Sequence, residues 1–201
     1  MIRAIFTDLG GVVLTNGWDT AGRERAVRHF ELDPEEFAQR HEMVFGGYEE
    51  GKMSIEDYLR FSVFHTPRPF SRAEFITFMK EQSQKLPQML EILEDIKTKY
   101  AIPIFALSNE GRELAEYRIE TFHLRKVIDA FIVSGFVGMR KPSLGIYKMA
   151  LDLAQVKAEE ALYIDDREVL IEAGGRAGLL TLWNTSIDLT LKELCRHGLE
   201  V

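Results

Sequence analysis

Six polar residues that could carry out chemistry each follow a short apolar run or stand in a glycine-containing loop. They are Asp8, Ser108, Asn109, Lys141, Asp165 and Asp166. Taken singly, each has an ordinary explanation: Asp8 as a turn residue, the Asp165-Asp166 pair as a helix cap, and Lys141 as a surface lysine. Taken together, the three carboxylates would repel one another unless a cation neutralised them. Their hard oxygen atoms favour Mg2+, and Lys141 would supply positive charge for an anionic substrate.

Five short apolar runs predict the buried strands that would position these residues. The runs cover residues 3–7, 102–107, 130–133, 161–164 and 179–183, and helical patterns at 111–122, 143–153 and 169–177 separate the later ones. Apolar strands that alternate with helices are typical of a parallel sheet covered on both faces. The sequence therefore predicts an α/β fold with a doubly wound, Rossmann-like sheet. In such a sheet, ligands bind beyond the carboxyl ends of the strands.

The segment between residues 15 and 85, which we call the helical block, has a different pattern. It contains no convincing strand, and its amphipathic stretches cover residues 21–30, 34–45, 54–64 and 71–84. The sequences "SIED" and "SRAE" predict helix starts at Ser54 and Ser71, and "HTPRPF" at 65–70 predicts a break between two helices. We predict a core formed by residues 1–14 and 86–201, with the helical block inserted over one end of the sheet.

Composition limits the classes of function. Hydrophobic residues make up 46% of the chain and charged residues 28%, as in soluble globular proteins. The net charge of -7 argues against nucleic-acid binding, and no apolar run approaches the roughly 18 residues of a membrane span. The single cysteine, Cys195, excludes an internal disulfide, and the sequence begins without a signal-peptide pattern. We expect a soluble cytoplasmic protein; no heptad pattern or apolar stripe indicates an oligomer.

Four motifs, in order, resemble those of the haloacid dehalogenase superfamily and of its phosphatases in particular. They read "FTDLGGVV", "FALSNE", "GMRKPSLGIYKMAL" and "LYIDDREVLIEAG". The last two are similar to motifs of small bacterial sugar-phosphate phosphatases and of the N-terminal domain of soluble epoxide hydrolase. The resemblance covers the whole chain and implies a helical cap after the first strand, which the helical block matches. It also implies a small phosphorylated metabolite as substrate and Mg2+ as cofactor.

The resemblance implies a nucleophile and a set of metal ligands. Asp8 is similar to the aspartate that attacks phosphorus and becomes a phosphoaspartate, and it also ligates the metal. Asp166 matches the principal metal ligand, and Asp165 matches a second ligand or an orienting group. The backbone carbonyl of Gly10 matches a further metal ligand.

The resemblance also implies three residues that handle the substrate. Ser108 would donate a hydrogen bond to a phosphoryl oxygen, and Asn109 would position the substrate. Lys141 would neutralise the charge of the nucleophile and the phosphoryl group. Phosphoryl transfer depends mostly on such positioning and charge stabilisation.

Two positions depart from the family pattern. Most family phosphatases have an aspartate for proton transfer where this chain has Gly10, and an aspartate or asparagine where it has Leu170. Because general acid-base assistance typically contributes about 10²–10⁴-fold, we expect slower turnover but not its loss. The expected function is an Mg2+-dependent phosphatase. The alternatives are a non-catalytic phosphate-binding or regulatory module and a metal-independent 2-haloacid dehalogenase, against which the Asp165-Asp166 pair counts.

Overall fold

A computed structural model describes residues 1–201 and contains one parallel sheet of five strands. The strands are β1 (Ala4–Thr7), β2 (Ile104–Ser108), β3 (Ala130–Val133), β4 (Ala161–Asp165) and β5 (Leu180–Trp183). Their order across the sheet is β3-β2-β1-β4-β5, and every neighbouring pair is parallel. The chain thus fills one side of β1 first and then the other. The predicted doubly wound α/β fold is confirmed, and its topological switch lies beside β1.

Ten α-helices surround or follow these strands. They are α1 (Thr20–His29), α2 (Pro34–Glu49), α3 (Ile55–Ser62), α4 (Arg72–Glu81), α5 (Pro87–Tyr100), α6 (Arg112–Thr121), α7 (Ser134–Val137), α8 (Leu144–Ala154), α9 (Glu168–Arg176) and α10 (Ile187–Arg196). None of them combines the length and the apolar composition that a membrane-spanning helix requires.

The sheet is buried on both faces, as its apolar strands predict. Successive strand residues point to opposite faces. Ile5 of β1 belongs to a cluster with Leu93 of α5 and Leu194 of α10, whereas Phe6 belongs to a cluster with Tyr147 of α8. Because both faces are occupied by helices, ligands can reach the sheet only along its ends and edges.

The helical block contains α1 to α4 and has an apolar cluster of its own. Trp18, Tyr58 and Phe75 are buried in this cluster. The two predicted helix starts are confirmed: the Ser54 side chain accepts a hydrogen bond from the Asp57 backbone, and Ser71 forms a reciprocal capping box with the third residue of α4. The block therefore has its own helix-start signals and its own apolar cluster.

Two paired segments connect the helical block to the sheet. The Thr15 amide donates to the Gln84 carbonyl over 2.9 Å, and the Gln84 amide donates to the Thr15 hydroxyl over 2.9 Å. The Leu86 amide donates to the Val13 carbonyl over 3.0 Å. The chain thus enters and leaves the block at one place, next to the carboxyl end of β1.

Several predicted boundaries were wrong by a few residues. The strand predicted at 102–107 begins at Ile104, and the one predicted at 161–164 continues to Asp165. Helix α2 continues past the predicted end at 45 because Tyr48 and Glu49 are buried against neighbouring elements. Helix α4 ends before 84 because Gln84 pairs with Thr15 instead.

Candidate active site

Three neighbouring strands bring the predicted acidic residues to one end of the sheet. Asp8 follows β1 directly, Ser108 ends β2, and Asp165 ends β4 with Asp166 next to it. Since β2, β1 and β4 are parallel neighbours, their carboxyl ends lie side by side. Asp8, Asp165 and Asp166 each offer a carboxylate oxygen within 4.8 Å of the others. Asp8 stands 157 and 158 positions before the other two in the chain, and only the sheet order brings it next to them.

Lys141 supplies the only ammonium group among these carboxylates. Its Nζ atom lies 2.6 Å from Asp165 Oδ2 and 3.2 Å from Asp8 Oδ1, and the side chain is buried. Burial alone would lower the pKa of Lys141, but Asp8 and Asp165 outweigh it and raise the pKa. The lysine is therefore charged in the folded protein.

Asn109 fixes the backbone of this lysine. Its side-chain amide donates to the Lys141 carbonyl over 2.8 Å, and its side-chain oxygen accepts from the Lys141 amide over 2.8 Å. A paired contact of this kind restrains both position and orientation. The sequence predicted Asn109 as a substrate-positioning residue; the structure shows its amide engaged with Lys141, while the residue also lines the adjoining cavity.

Both carboxylate oxygens of Asp165 have protein partners. Oδ2 accepts from Lys141 and from the Tyr163 hydroxyl, and Oδ1 accepts from the Arg167 amide over 2.9 Å. Tyr163 lies two residues before Asp165 on β4, so both side chains point to the same face of the sheet. Burial and the charge of Asp165 raise the pKa of Tyr163, which therefore remains a hydrogen-bond donor. These contacts suit an orienting role for Asp165.

Asp8 and Asp166 each keep a buried oxygen without a hydrogen bond. These atoms are Asp8 Oδ1 and Asp166 Oδ1. Burial raises the pKa of Asp8; Lys141 opposes this effect, and Asp165 adds to it. Three carboxylates face one ammonium group, so the site has an excess of negative charge. Free, hard oxygen atoms and excess negative charge both fit a divalent cation such as Mg2+.

The turn after Asp8 passes close to Asp166. Gly11 has a φ angle of +71°, and a Cβ atom there would collide with the Asp166 carboxylate. A Cβ atom at Gly10 would lie 2.8 Å from Asn16 Oδ1. The Asn16 amide donates to Asp166 Oδ2 over 3.0 Å. Asn16 therefore occupies the space that a side chain at position 10 would need, which no local sequence signal indicated.

A second buried network lies beside Ser108. Its hydroxyl donates to Glu110 Oε1 over 3.3 Å and also lies within hydrogen-bonding reach of Asp8, whose pKa it lowers. Glu110 forms a buried ion pair with Arg118, which in turn donates to the Thr15 carbonyl over 2.6 Å. Burial raises the pKa of Glu110, and Arg118 opposes this effect. Sequence reasoning missed both members of this pair.

A cavity of about 390 Å³ separates the strand ends from the helical block. On the sheet side it is lined by Asn109, Glu110 and Asp166, with Asp8, Ser108 and Lys141 buried behind them. On the block side, its lining includes Trp18, Arg23, Phe45 and Tyr48. The three aromatic residues among these also pack in or against the apolar cluster of the block.

Arg140 joins the helical block to the loop that carries Lys141, which we call the lysine loop, through ion pairs with Glu49 and Glu50. Arg140, directly before Lys141, lies 2.6 Å from the carboxylate of Glu49 on α2. Burial raises the pKa of Glu49, and the hydrogen bond from Arg140 opposes this effect. The position of α2 is thus coupled to the backbone that carries Lys141.

Comparison with known proteins identifies the family of the chain. The sequence profile of the haloacid dehalogenase-like hydrolases matches residues 2–178. The chain belongs to this family. Phosphoglycolate phosphatase of Aquifex aeolicus is 25% identical over 188 residues, which cover 90% of this chain and 85% of that protein.

Solved structures of haloacid dehalogenase-like enzymes share the fold. The enzyme BT-2542 of Bacteroides thetaiotaomicron superimposes with a TM-score of 0.78 at 19% identity, covering 90% of this chain and 93% of the other. The L-2-haloacid dehalogenase RSc1362 superimposes with a TM-score of 0.65 at 19% identity, covering 92% and 87%. At these identities the likeness shows the fold alone, so the chemistry must be argued from the site.

Leu170 is a core residue in this member of the family. Its side chain is buried on α9, and its carbonyl accepts a hydrogen bond from the Tyr147 hydroxyl over 3.3 Å. The second departure from the family pattern thus replaces a polar group with apolar packing. Lys141 is oriented instead by Asn109 and Asp165.

Proposed function

We propose that this hydrolase is an Mg2+-dependent phosphatase that cleaves small phosphate monoesters through a phosphoaspartate on Asp8, with the helical block as its cap. One observation carries the proposal: Asp8 Oδ1 and Asp166 Oδ1 are buried and lack hydrogen bonds, and Asp8 Oδ1 lies 3.2 Å from the charged Nζ atom of Lys141. A nucleophile needs a free lone pair, and a phosphoryl group needs positive charge on its oxygens.

The residues around Asp8 would bind and orient the phosphoryl group. Lys141 neutralises the charge that develops on the phosphoryl oxygens, and Ser108 donates a hydrogen bond to one of them. Asn109 acts through Lys141 because its amide fixes the lysine backbone. Such positioning of a charged group in a site without bulk water contributes more to the rate than it could in solution.

Asp8, Asp166 and the carbonyl of Gly10 would hold the metal ion, and Asp165 would orient Lys141 beside them. When bound, Mg2+ neutralises carboxylate and phosphoryl charge at this end of the sheet. The free oxygens of Asp8 and Asp166 suit direct ligation. The oxygens of Asp165 already have three protein donors, which suits orientation of Lys141.

The proposed reaction has two steps. An oxygen of Asp8 attacks phosphorus, the bond from phosphorus to the ester oxygen breaks, and the leaving oxygen takes the bonding electrons and then a proton from water. A water molecule then attacks the phosphorus of the phosphoaspartate, the bond from phosphorus to the Asp8 oxygen breaks, and inorganic phosphate and the free Asp8 carboxylate are released. Binding of substrate beneath the helical block would exclude bulk water during the first step.

No carboxylic acid stands at position 10 to protonate the leaving oxygen. The amide of Asn16 occupies that space and can donate a hydrogen bond, but it cannot deliver a proton as an acid does. The enzyme should therefore favour substrates whose leaving group has a low pKa, since these need proton transfer least.

Names of similar proteins support the phosphatase over the alternatives. One is a phosphoglycolate phosphatase; another is the pyrimidine 5'-nucleotidase YjjG of Escherichia coli, 32% identical over 111 residues that cover 54% of this chain and 48% of that protein. BT-2542 has been crystallised with magnesium and inorganic phosphate. The acidic pair also counts against a dehalogenase, which has no cation for a second aspartate to bind.

The test is release of inorganic phosphate from a panel of phosphorylated metabolites, with Mg2+ and with a chelator. We expect turnover only with Mg2+, and a loss of at least about 10³-fold in Asp8→Asn, because the nucleophile is removed. The variant should still bind phosphate and should unfold at an unchanged or higher temperature, because burial disfavours the charged form of Asp8 more than Lys141 favours it.

Two outcomes would contradict the proposal. Phosphate-dependent stabilisation without turnover on any ester would favour the binding module. Halide release from 2-haloacids without Mg2+ would favour the dehalogenase.

A further inference from the structure

Several of the charged groups that line the cavity already have partners. Glu110 pairs with Arg118, and Glu49 pairs with Arg140 in the lysine loop. The Asp19 carboxylate caps the N-terminus of α1, where it accepts a hydrogen bond from the Gly22 amide over 2.7 Å. Asp166 faces the catalytic end of the sheet.

Arg23 on α1 lines the same cavity without an acidic partner. Its guanidinium donates to the Trp18 carbonyl over 2.9 Å and to the Thr20 hydroxyl over 3.0 Å, and it lies 5.7 Å from the centre of the Phe45 ring. These contacts hold the group in place and leave further N–H donors free. Arg23 forms no ion pair with any carboxylate, although it is half-buried.

An unpaired guanidinium in this position costs free energy, because burial removes water from a permanent charge. Burial lowers the pKa of Arg23. Tyr58, Asp19 and Glu49 oppose this effect, but none of them pairs with the guanidinium. The other cation without an acidic partner in the lining, Arg167, is exposed and keeps its water. Arg23 is thus the one cavity cation whose charge a bound anion would compensate.

We propose that Arg23 binds a carboxylate of the substrate, which is then a small phosphate monoester of a hydroxy acid. This inference rests on the proposed phosphatase function and names its substrate class. A guanidinium and a carboxylate match in a planar, paired geometry. The acids Asp19 and Glu49 line the same cavity and disfavour a doubly charged phosphate more than a singly charged carboxylate. The cavity, about 390 Å³, is large enough for such a compact metabolite.

Binding can be measured without turnover in the Asp8→Asn background with Mg2+. Calorimetry would compare 2-phosphoglycolate, 2-phospholactate and 3-phosphoglycerate with the neutral phosphates in which a hydroxymethyl group replaces the carboxylate. A bisphosphate of similar size would test a second phosphate as the anion. We expect at least one acid to bind about 10- to 100-fold more tightly than its neutral counterpart.

Three variants locate the source of this preference. Arg23→Gln should remove the preference while changing the affinity for the neutral phosphate by less than about twofold, and Arg23→Lys should retain part of it. Arg25→Gln is the matched control: it lies on the same helix, removes the same charge and does not line the cavity. Arg25→Gln should bind every ligand as the parent does.

The outcomes separate this inference from the proposed function. Four outcomes would overturn the role of Arg23. The preference could be unchanged in Arg23→Gln, or Arg23→Gln could weaken the acid and the neutral ester equally. The bisphosphate could bind more tightly than any acid, or neither the acids nor the neutral esters could bind. Asp8-dependent hydrolysis without any effect of Arg23 would overturn this inference alone. An Arg23-dependent preference in binding without hydrolysis by the unaltered protein would overturn the phosphatase alone.

Discussion

The end of the sheet and the cavity above it differ in how their charges are satisfied. At the sheet, Lys141 contacts both Asp8 and Asp165, and Asn109 fixes its backbone with two hydrogen bonds. In the cavity, Arg23 is held only by uncharged oxygens and an aromatic ring. Lys141 is buried in the core of the fold, whereas Arg23 is half-buried in the lining of a pocket.

Under the proposed function, this difference separates the chemistry from the choice of substrate. The charges at the end of the sheet are buried against one another, so a change in one of them disturbs the others. A charge on α1 belongs to a block with its own apolar cluster, so it can change with little effect on the strand ends. The comparison predicts large effects on stability at the sheet and effects on affinity in the block.

The largest expected effect is that of Lys141→Met. The substitution leaves Asp8 and Asp165 buried without a counter-charge, so the free energy of unfolding should fall by about 3 kcal/mol in the absence of Mg2+. Urea unfolding measures this change. Added Mg2+ should recover part of the loss, because it would neutralise the same carboxylates.

Lys192→Met is the matched control for this prediction. Lys192 is exposed on α10 and forms no ion pair, so its loss should change the free energy of unfolding by less than about 0.5 kcal/mol. Equal stability of Lys141→Met and Lys192→Met would show that the lysine is not a structural counter-charge.

A smaller effect is expected at position 10. Gly10→Asp alone should gain little activity, because the new side chain must displace Asn16 from its hydrogen bond to Asp166. The double variant Gly10→Asp with Asn16→Ala leaves room for the carboxyl group. Its kcat should rise about 10- to 100-fold on alkyl phosphates, whose leaving groups are poor, and much less on acyl phosphates.

The single variant Asn16→Ala is the control for the double variant. It should lower the affinity for Mg2+, because Asp166 loses the amide that orients it, without a gain in kcat. No gain in the double variant on alkyl phosphates would contradict the claim that proton transfer limits this enzyme.

The smallest effect concerns His41, inside the helical block. Its Nδ1 atom lies 2.9 Å from the Tyr58 hydroxyl oxygen, and burial together with Arg23 lowers the pKa of His41 to about 4. Between about pH 6.5 and 4, the unfolded chain therefore binds a proton that the folded protein excludes. The stability contributed by neutral His41 is complete above pH 6.5 and is lost as the pH falls.

Urea unfolding at pH 7.0, 5.5 and 4.5 would measure this dependence. As the pH falls, the free energy of unfolding should decrease more steeply in the unaltered protein than in His41→Gln. The difference between the two slopes should be less than about 1.4 kcal/mol per pH unit, which is the slope for one full proton. His123→Asn, at an exposed histidine with positive φ, should keep the steeper slope. Parallel curves for the unaltered protein and His41→Gln would exclude His41 as the source.

Local sequence signals were sufficient for much of the fold. Apolar runs located all five strands, and the caps at Ser54 and Ser71 began helices where the sequence predicted them. Helices α5 and α10 were not predicted, although the spacing of Met89, Ile92 and Ile96 on α5 was a readable signal. Boundaries were less accurate, because long-range contacts such as that between Thr15 and Gln84 decided them.

The sequence by itself determined which polar residues meet at the sheet. In a parallel sheet, residues that follow strands lie at the same end, so Asp8, Ser108 and Asp165 become neighbours once the strands are recognised. The tertiary structure alone decided which of their oxygens are free, that Asn16 fills the space beside Gly10, and that Arg23 lacks an acidic partner. Those facts depend on competition among side chains from distant segments, and no local pattern encodes the result.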